Sequence, residues 1–310
     1  MSGAKRGRVV ARAGGDAPAS PGDAYPGGGI LYVVATPIGN MSDITLRALE
    51  VLRAVPLVAA EDTRLTRRLW ARHAIGTRLV SYHARNASSR EPELLAHLAA
   101  GADLAVVTDA GTPLVSDPGE GLVAAWAARG GRIVPVPGAS AVLAALVASG
   151  IPAPRWSFEG FLPRRGRERR ARLARIAGDG RATVLFEAGN RSAGTLADLA
   201  ATCGTERSAA LARELTKLHE EILRGTLGSL AEAAATDPPR GEVTIVVSGR
   251  GEVATGPPAG GAMAGAASLA AARSRVDALV EAGETRSSAA RRIAGETGLP
   301  RRELFRPHGR

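Results

Sequence analysis

Between residues 29 and 150, short apolar runs alternate with amphipathic ones, and only a few residues separate them. "ILYVVAT", "PLVAAE", "TRLVSY", "ADLAVVT" and "RIVPVPG" have the length and β-branched content of buried strands. Between them lie "SDITLRALEVLRAV", with Ser42 or Asp43 as the expected N-cap, then "TRLTRRLWARH", "REPELLAHLAA" and "GEGLVAAWAARG". "ASAVLAALVASG" closes the series as an almost wholly apolar helix, expected to be buried on most sides. Strand alternating with helix over short links specifies an α/β fold with a mostly parallel sheet covered on both faces. Ligands of such sheets bind beyond the carboxyl ends of the strands. Four polar loops fall there: "TPIGN", "AEDTR", "TDAGTP" and "PGAS".

The pattern breaks at "GIPAPR", residues 150–155. Beyond it, "WSFEGFLP", "RATVLFEAGNR", "SAALARELTK", "EEILRGT" and "GEVTIVVSG" read as strands that often abut directly, so a mixed or antiparallel second sheet is expected. The reading is two α/β domains, 29–150 and 151–249, with a cleft between them. They follow a disordered extension over 1–28. A flexible linker over 250–266 then leads to a small helical tail over 267–310. That tail is basic, and its helix–glycine–helix pattern resembles a helix-turn-helix.

No apolar run reaches the roughly 18 residues of a membrane span. The N-terminus lacks a secretory signal's apolar core. The single cysteine, Cys203, excludes an internal disulfide, so a reducing cytoplasm is expected. No zinc or iron spacing appears among the histidines and cysteine, so no metal is expected. Net charge is +10, yet 38 of the 40 basic residues are arginine, so where they sit says more than their number. Few aromatics argue against a base-stacking platform like that of an RRM or OB-fold. Gly39, Gly111 and Gly138 allow close backbone approach at the strand ends, and Asp109 can accept hydrogen bonds from a ligand.

Taken in order, "VATPIGNMSDITLRALEVL", "AAEDTR", "SYH", "DAGTPLVSDPG", "PGASA", "EGFLP", "LARELTK" and "GEVTIVV" closely resemble the ribosomal RNA small subunit methyltransferase I family. That family lies within the tetrapyrrole-methylase-like (class III) methyltransferases, and the likeness spans roughly residues 29–249. The resemblance implies S-adenosylmethionine held between the domains. It also implies 2'-O-methylation of a cytidine ribose in the decoding region of small-subunit ribosomal RNA, in the assembled or assembling subunit, by a homodimer. By position, donor contacts fall on Pro37, Asp109, Ala110, Gly111, Thr112, Val115, Ser140, Ala141, Phe186, Leu211, Ala212 and Val243. One motif departs: "EAGNR" puts Asn190 where the family usually has a histidine.

Methyl transfer to a ribose hydroxyl needs in-line placement and a group that takes or shares the proton. The candidates are Lys217, Glu214, Glu61, Asp62 and Glu187. Lys217 is one of only two lysines, and a lysine kept where arginine would supply bare charge points to base catalysis or a tight phosphate site. The RNA-contact candidates are the run Arg164, Arg165, Arg167, Arg169, Arg170, Arg172 and Arg175, together with Arg64 and Arg191. Two alternatives stay open: a class III methylase for a tetrapyrrole or other small molecule, and a non-catalytic nucleic-acid-binding protein.

Overall fold

The computed structural model describes residues 28–251, 262–297 and 301–305. Its first half runs β1 (Leu31–Val34), α1 (Leu46–Ala54), β2 (Leu57–Ala60), α2 (Thr63–His73) and β3 (Arg78–Ser81). It continues with α3 (Ala87–Ala99), β4 (Leu104–Val107), α4 (Glu120–Ala128), β5 (Ile133–Val136) and α5 (Ala141–Ala148). The strands pair in parallel in the order β3-β2-β4-β1-β5.

That order fixes the layers. The chain moves from β1 through β2 to β3 in one direction across the sheet, then returns through β4 to β5. Right-handed crossovers therefore put α1 and α2 on one face and α3 and α4 on the other. The cores agree: Val51, Leu52, Leu69 and Trp70 pack on Val34, Val58, Ala60 and Val107, while Leu94, Leu98, Leu122 and Trp126 pack on Leu31, Leu57, Leu104 and Val106. The neighbours β1 and β4 thus sit where the connections reverse direction, which opens a crevice at their carboxyl ends.

Two local expectations change. The N-cap of α1 is Thr45, whose hydroxyl accepts from the Ala48 N–H at 3.1 Å. Ser42 and Asp43 instead form a 3-10 turn capped by Asn40, because Thr45 directly precedes the first helical residue. And α5 is not buried on most sides: Val142 and Ala145 are buried, but Leu143 and Val147 are 51% and 80% exposed.

The second half comprises β6 (Trp156–Phe161), α6 (Arg167–Gly178), β7 (Ala182–Ala188), α7 (Gly189–Cys203) and β8 (Ser208–Arg213). It ends with β9 (Glu221–Thr226), α8 (Leu227–Thr236) and β10 (Glu242–Val247). Its sheet is mixed, ordered β6-β7-β10-β8-β9, with only β6 and β7 parallel. Its helices cover one face, where Leu173, Leu196, Leu199 and Leu230 meet Leu185, Leu211 and Ile245. The other face carries Val184, Ala210, Ala212 and Val246, and these pack on Val142 and Ala145 of α5 with Ile38 and Val115. The two halves are joined through this second face, and the crevice of the first sheet opens beside it.

The tail holds α9 (Ala262–Glu281), α10 (Arg286–Thr297) and α11 (Arg301–Leu304), closed around Val276, Ala290, Ile293 and Leu304. The alanine-rich end of the expected linker, from Ala262, is already helical. Residues 252–261 of that linker and the N-terminal extension up to residue 27 lie outside the described residues. No described helix is long and apolar enough to cross a membrane.

Candidate active site

A cavity of about 370 Å3 lies where the strand-end loops of the first sheet meet the uncovered face of the second. Ten of the twelve expected donor contacts line it: Asp109, Ala110, Gly111, Thr112, Val115, Ser140, Ala141, Phe186, Ala212 and Val243. Pro37 does not, although its neighbour Ile38 does. Leu211 does not either. Strand alternation gives the reason: with Ala212 on the cleft face, the Leu211 side chain turns into the core beneath the helices.

The loop after β4 is built by tight backbone geometry. Gly111 and Thr36 exchange both backbone hydrogen bonds, at 2.8 and 3.0 Å, and this ties "DAGTP" to "TPIGN". Gly111, Leu114, Ser116 and Gly119 all have positive φ. On the opposite wall, Glu214 and Thr216 do too. Four of the five described non-glycine residues with positive φ therefore flank this cavity, where backbone strain marks a constrained site.

Carboxylates gather on the first-sheet side. The Asp109 N–H donates to Glu61 Oε2 at 3.3 Å, and the Asp62 N–H donates to Asp109 Oδ1 at 3.0 Å, so two neighbouring strand ends clasp each other. Burial raises both Glu61 and Asp109 above the usual carboxylate range. Asp117, which lines the cavity, is pushed up to about 6 by burial and then by the charges of Glu61, Asp109 and Glu242. Asp62 goes the other way: the Arg64 guanidinium, 2.6 Å off, and the Arg64 N–H hold it well below the usual range. Asp62 is thus a fixed anion and the cap of α2, not a proton acceptor.

Lys217 and Glu214 face the cavity from the other wall, 2.8 Å apart. The Asn40 N–H donates to Thr216 Oγ1 at 3.1 Å, so the "TPIGN" loop docks on the "RELTK" turn. The Lys217 side chain is 45% exposed and paired with a carboxylate.

A family model for tetrapyrrole (corrin/porphyrin) methylases matches residues 30–231. A ribosomal RNA small subunit methyltransferase I from Synechocystis sp. is 46% identical over 277 residues, covering 89% of this chain and 96% of that protein. One from Micromonospora olivasterospora is 51% identical over 227 residues, 73% of this chain and 72% of that protein. The chain belongs to the ribosomal RNA small subunit methyltransferase I family. A solved structure of uroporphyrin-III C-methyltransferase from Thermus thermophilus, complexed with S-adenyl homocysteine, shares the fold. Its TM-score is 0.52 at 20% identity, covering 71% of this chain and 97% of that one.

Members of the ribosomal RNA small subunit methyltransferase I family are methyltransferases with S-adenosylmethionine as donor, and the cavity fits that group. Its volume lies in the range of small-ligand pockets. Asp109, Glu214 and Glu242 suit a ligand that carries a sulfonium and an ammonium. Ile38, Val115 and Phe186 supply apolar wall for an adenine. Ser140 caps α5 by accepting from the Leu143 N–H, which leaves other N–H groups of that first turn for a carboxylate. Sequence reasoning missed Asp117, Phe161, Glu242 and Thr244. Asp117 stood inside the quoted "SDPG", but nothing in its local sequence reported its burial among other carboxylates.

The structure divides the remaining candidates. Glu61 clasps the strand ends without lining the cavity. Glu187 alternates with Phe186, so it points beneath the helices and is 0% exposed. There it accepts from Thr195 Oγ1 at 2.6 Å and meets Arg191 at 3.3 Å, a structural anchor and not a base. Arg169 is also buried, bonded to Asp198, Thr195 and the Pro163 carbonyl. Arg191 donates to the Leu162 carbonyl, and Arg172 and Arg175 bond Glu159 and Glu168. Arg64, Arg164, Arg165, Arg167 and Arg170 remain exposed. Asn190 is exposed as well. Cys203 is half-buried and its thiol is raised by burial, which suits packing and not nucleophilic chemistry.

Proposed function

We propose that this methyltransferase transfers the methyl group of S-adenosylmethionine to the 2'-hydroxyl of a cytidine ribose in the decoding region of small-subunit ribosomal RNA. It acts in the cytoplasm, on the assembled or assembling subunit, as a homodimer. The observation that carries the reading is the cavity itself. Ten positions named from the family's donor contacts converge on one cleft, and exposed arginines begin three residues along the chain from its wall at Phe161.

S-adenosylmethionine bound here would supply a methyl carbon activated by its sulfonium; the chain's part is to hold the ribose hydroxyl in line and to take its proton. Asp117 is the cavity carboxylate raised to about 6, within reach of neutral pH, and takes the role of proton acceptor. Lys217 holds the acceptor's phosphate. Arg64, Arg164, Arg165, Arg167 and Arg170 bind the flanking backbone. Leu143 and Val147, one helical turn apart on α5, give an exposed apolar face that a second copy would cover.

The deciding experiment offers labelled donor to assembled small subunits, free small-subunit ribosomal RNA and a precorrin-type tetrapyrrole, then maps the label. Label on a cytidine ribose of the subunit's decoding region is expected. Label on the tetrapyrrole alone overturns the reading.

A further inference from the structure

Three of the chain's four phenylalanines, Phe158, Phe161 and Phe186, form one cluster, and two of them, Phe161 and Phe186, line the cavity. Phe158 and Phe186 contact edge to face, with ring centroids 5.0 Å apart; Phe161 lies 5.5 Å from Phe186 on the other flank. Phe158 and Phe186 are partly buried, but Phe161 is 40% exposed and lines the cavity.

Ordinary strand alternation would not put Phe161 there. Phe158 pairs with Val184, yet Phe161 pairs with Phe186, so three residues of β6 span two of β7. The extra residue is a β-bulge at Glu159–Gly160, with Gly160 at φ +62°. It turns Phe161 onto the same face as Phe158, the re-aiming that bulges bring about beside functional sites. Gly160 faces the first domain closely: a Cβ there would lie 3.0 Å from Ser116 Oγ.

Four arginines hold this bulged segment. Arg172 donates to the Glu159 carbonyl at 3.2 Å and Arg175 to its side chain at 3.0 Å. Arg191 donates to the Leu162 carbonyl at 3.2 Å, and Arg169 to the Pro163 carbonyl at 3.0 Å. A solvent-exposed aromatic on a segment fixed this firmly is a platform, and the exposed Arg164 and Arg165 follow it directly.

We infer that Phe161 is a stacking shelf for the base of the acceptor nucleotide, turned into the cleft by the β6 bulge. A nucleotide lowered into the cleft leaves the stack of its neighbours, and its base then needs another face to stack on. An exposed ring beside a basic strip receives the base and its phosphates together. Phe161 is a positioning residue for the acceptor, distinct from the donor wall at Phe186. The inference rests on the ribosomal RNA reading above.

The test uses the full-length protein, labelled donor and assembled small ribosomal subunits, with S-adenosylhomocysteine affinity measured separately by calorimetry. Phe161→Ala is expected to lower kcat/KM for the subunit by about tenfold to a hundredfold, on the scale of one lost base–aromatic stack. S-adenosylhomocysteine affinity and melting temperature should stay as in the wild type. Phe161→Trp should keep most of the rate, whereas Phe161→Leu, which keeps apolar bulk without a π-face, should not. Full rate in Phe161→Leu overturns the shelf, as does a loss of S-adenosylhomocysteine affinity that matches the loss of rate. A wild-type protein that binds S-adenosylhomocysteine but labels no ribosomal RNA overturns the reading beneath it, and the shelf with it.

Discussion

Gly39 and Lys217 occupy one space: a Cβ on Gly39 would lie 2.5 Å from Cγ of Lys217 and 3.0 Å from its Cε. The lysine stem lies across the bare backbone of the "TPIGN" loop, and its ammonium reaches Glu214. Gly39→Ala must push that stem aside. The Leu215 carbonyl oxygen also lies 3.0 Å from that Cβ and is backbone, so the loop shifts and the ammonium moves with it. Because misplacement by about 1 Å costs up to about a hundredfold, turnover should fall by tenfold or more, out of proportion to a modest drop in melting temperature. Steady-state methylation beside thermal denaturation checks this.

Lys217→Arg tests the lysine itself. A planar guanidinium needs more room than this close approach leaves. The expected result is a raised KM for the RNA acceptor with S-adenosylhomocysteine affinity intact. An arginine enzyme with wild-type turnover and KM would refute the assignment.

Asp117 makes two predictions of opposite sense. Its pKa is raised in the folded protein to about 6, so the protonated form favours folding. That contribution is full below the unfolded value near 4 and is lost as pH rises through 6. Asp117→Asn should therefore melt higher than wild type at pH 7.5, and the gap should close by pH 4.5. As proton acceptor, the same residue makes the rate rise with pH through its own titration. Asp117→Asn should lose that rise and most of the turnover while still binding S-adenosylhomocysteine.

The arginine run should split into two classes. Replacing Arg164, Arg165, Arg167 and Arg170 with alanine should weaken RNA binding and flatten its salt dependence, by a log–log slope of roughly 0.7–0.9 per lost phosphate contact. Folding stability should not change. Arg169→Ala should cost about 2–3 kcal/mol of stability, because it strips charge-assisted bonds from Asp198 and leaves Thr195 and the Pro163 carbonyl without a donor. Denaturant titration separates the two.

Val147→Glu places a charge on the most exposed apolar position of α5. Sedimentation should show a shift from dimer toward monomer. A wild-type protein that sediments as a monomer at micromolar concentration would refute the dimer.

Much of this was legible in the chain. The strand–helix alternation gave the first sheet, because a parallel strand buried on both faces has to read as a continuous apolar run. The loops that line the cavity were legible because their residues are consecutive and sit at strand ends. What stayed hidden was set by direction and not by identity. Phe186 and Glu187 are neighbours in sequence, yet one faces the cleft and the other the core. Phe161 reaches the cleft only through a bulge. Arg169 looked like its neighbours in the run until Asp198, 29 residues on, claimed it. Asp117 became chemically distinct only when Glu61, Asp109 and Glu242 were folded around it.

Helix α5 belongs to the first half by chain order, yet its buried residues, Val142 and Ala145, pack into the uncovered face of the second sheet. It is a shared part, and a cut at residue 150 would strip that sheet of its lid. A chimera that exchanges halves between relatives must therefore carry α5 with the partner it covers. The unit of inheritance in this architecture is the pair of halves, joined by one short helix that neither can give up.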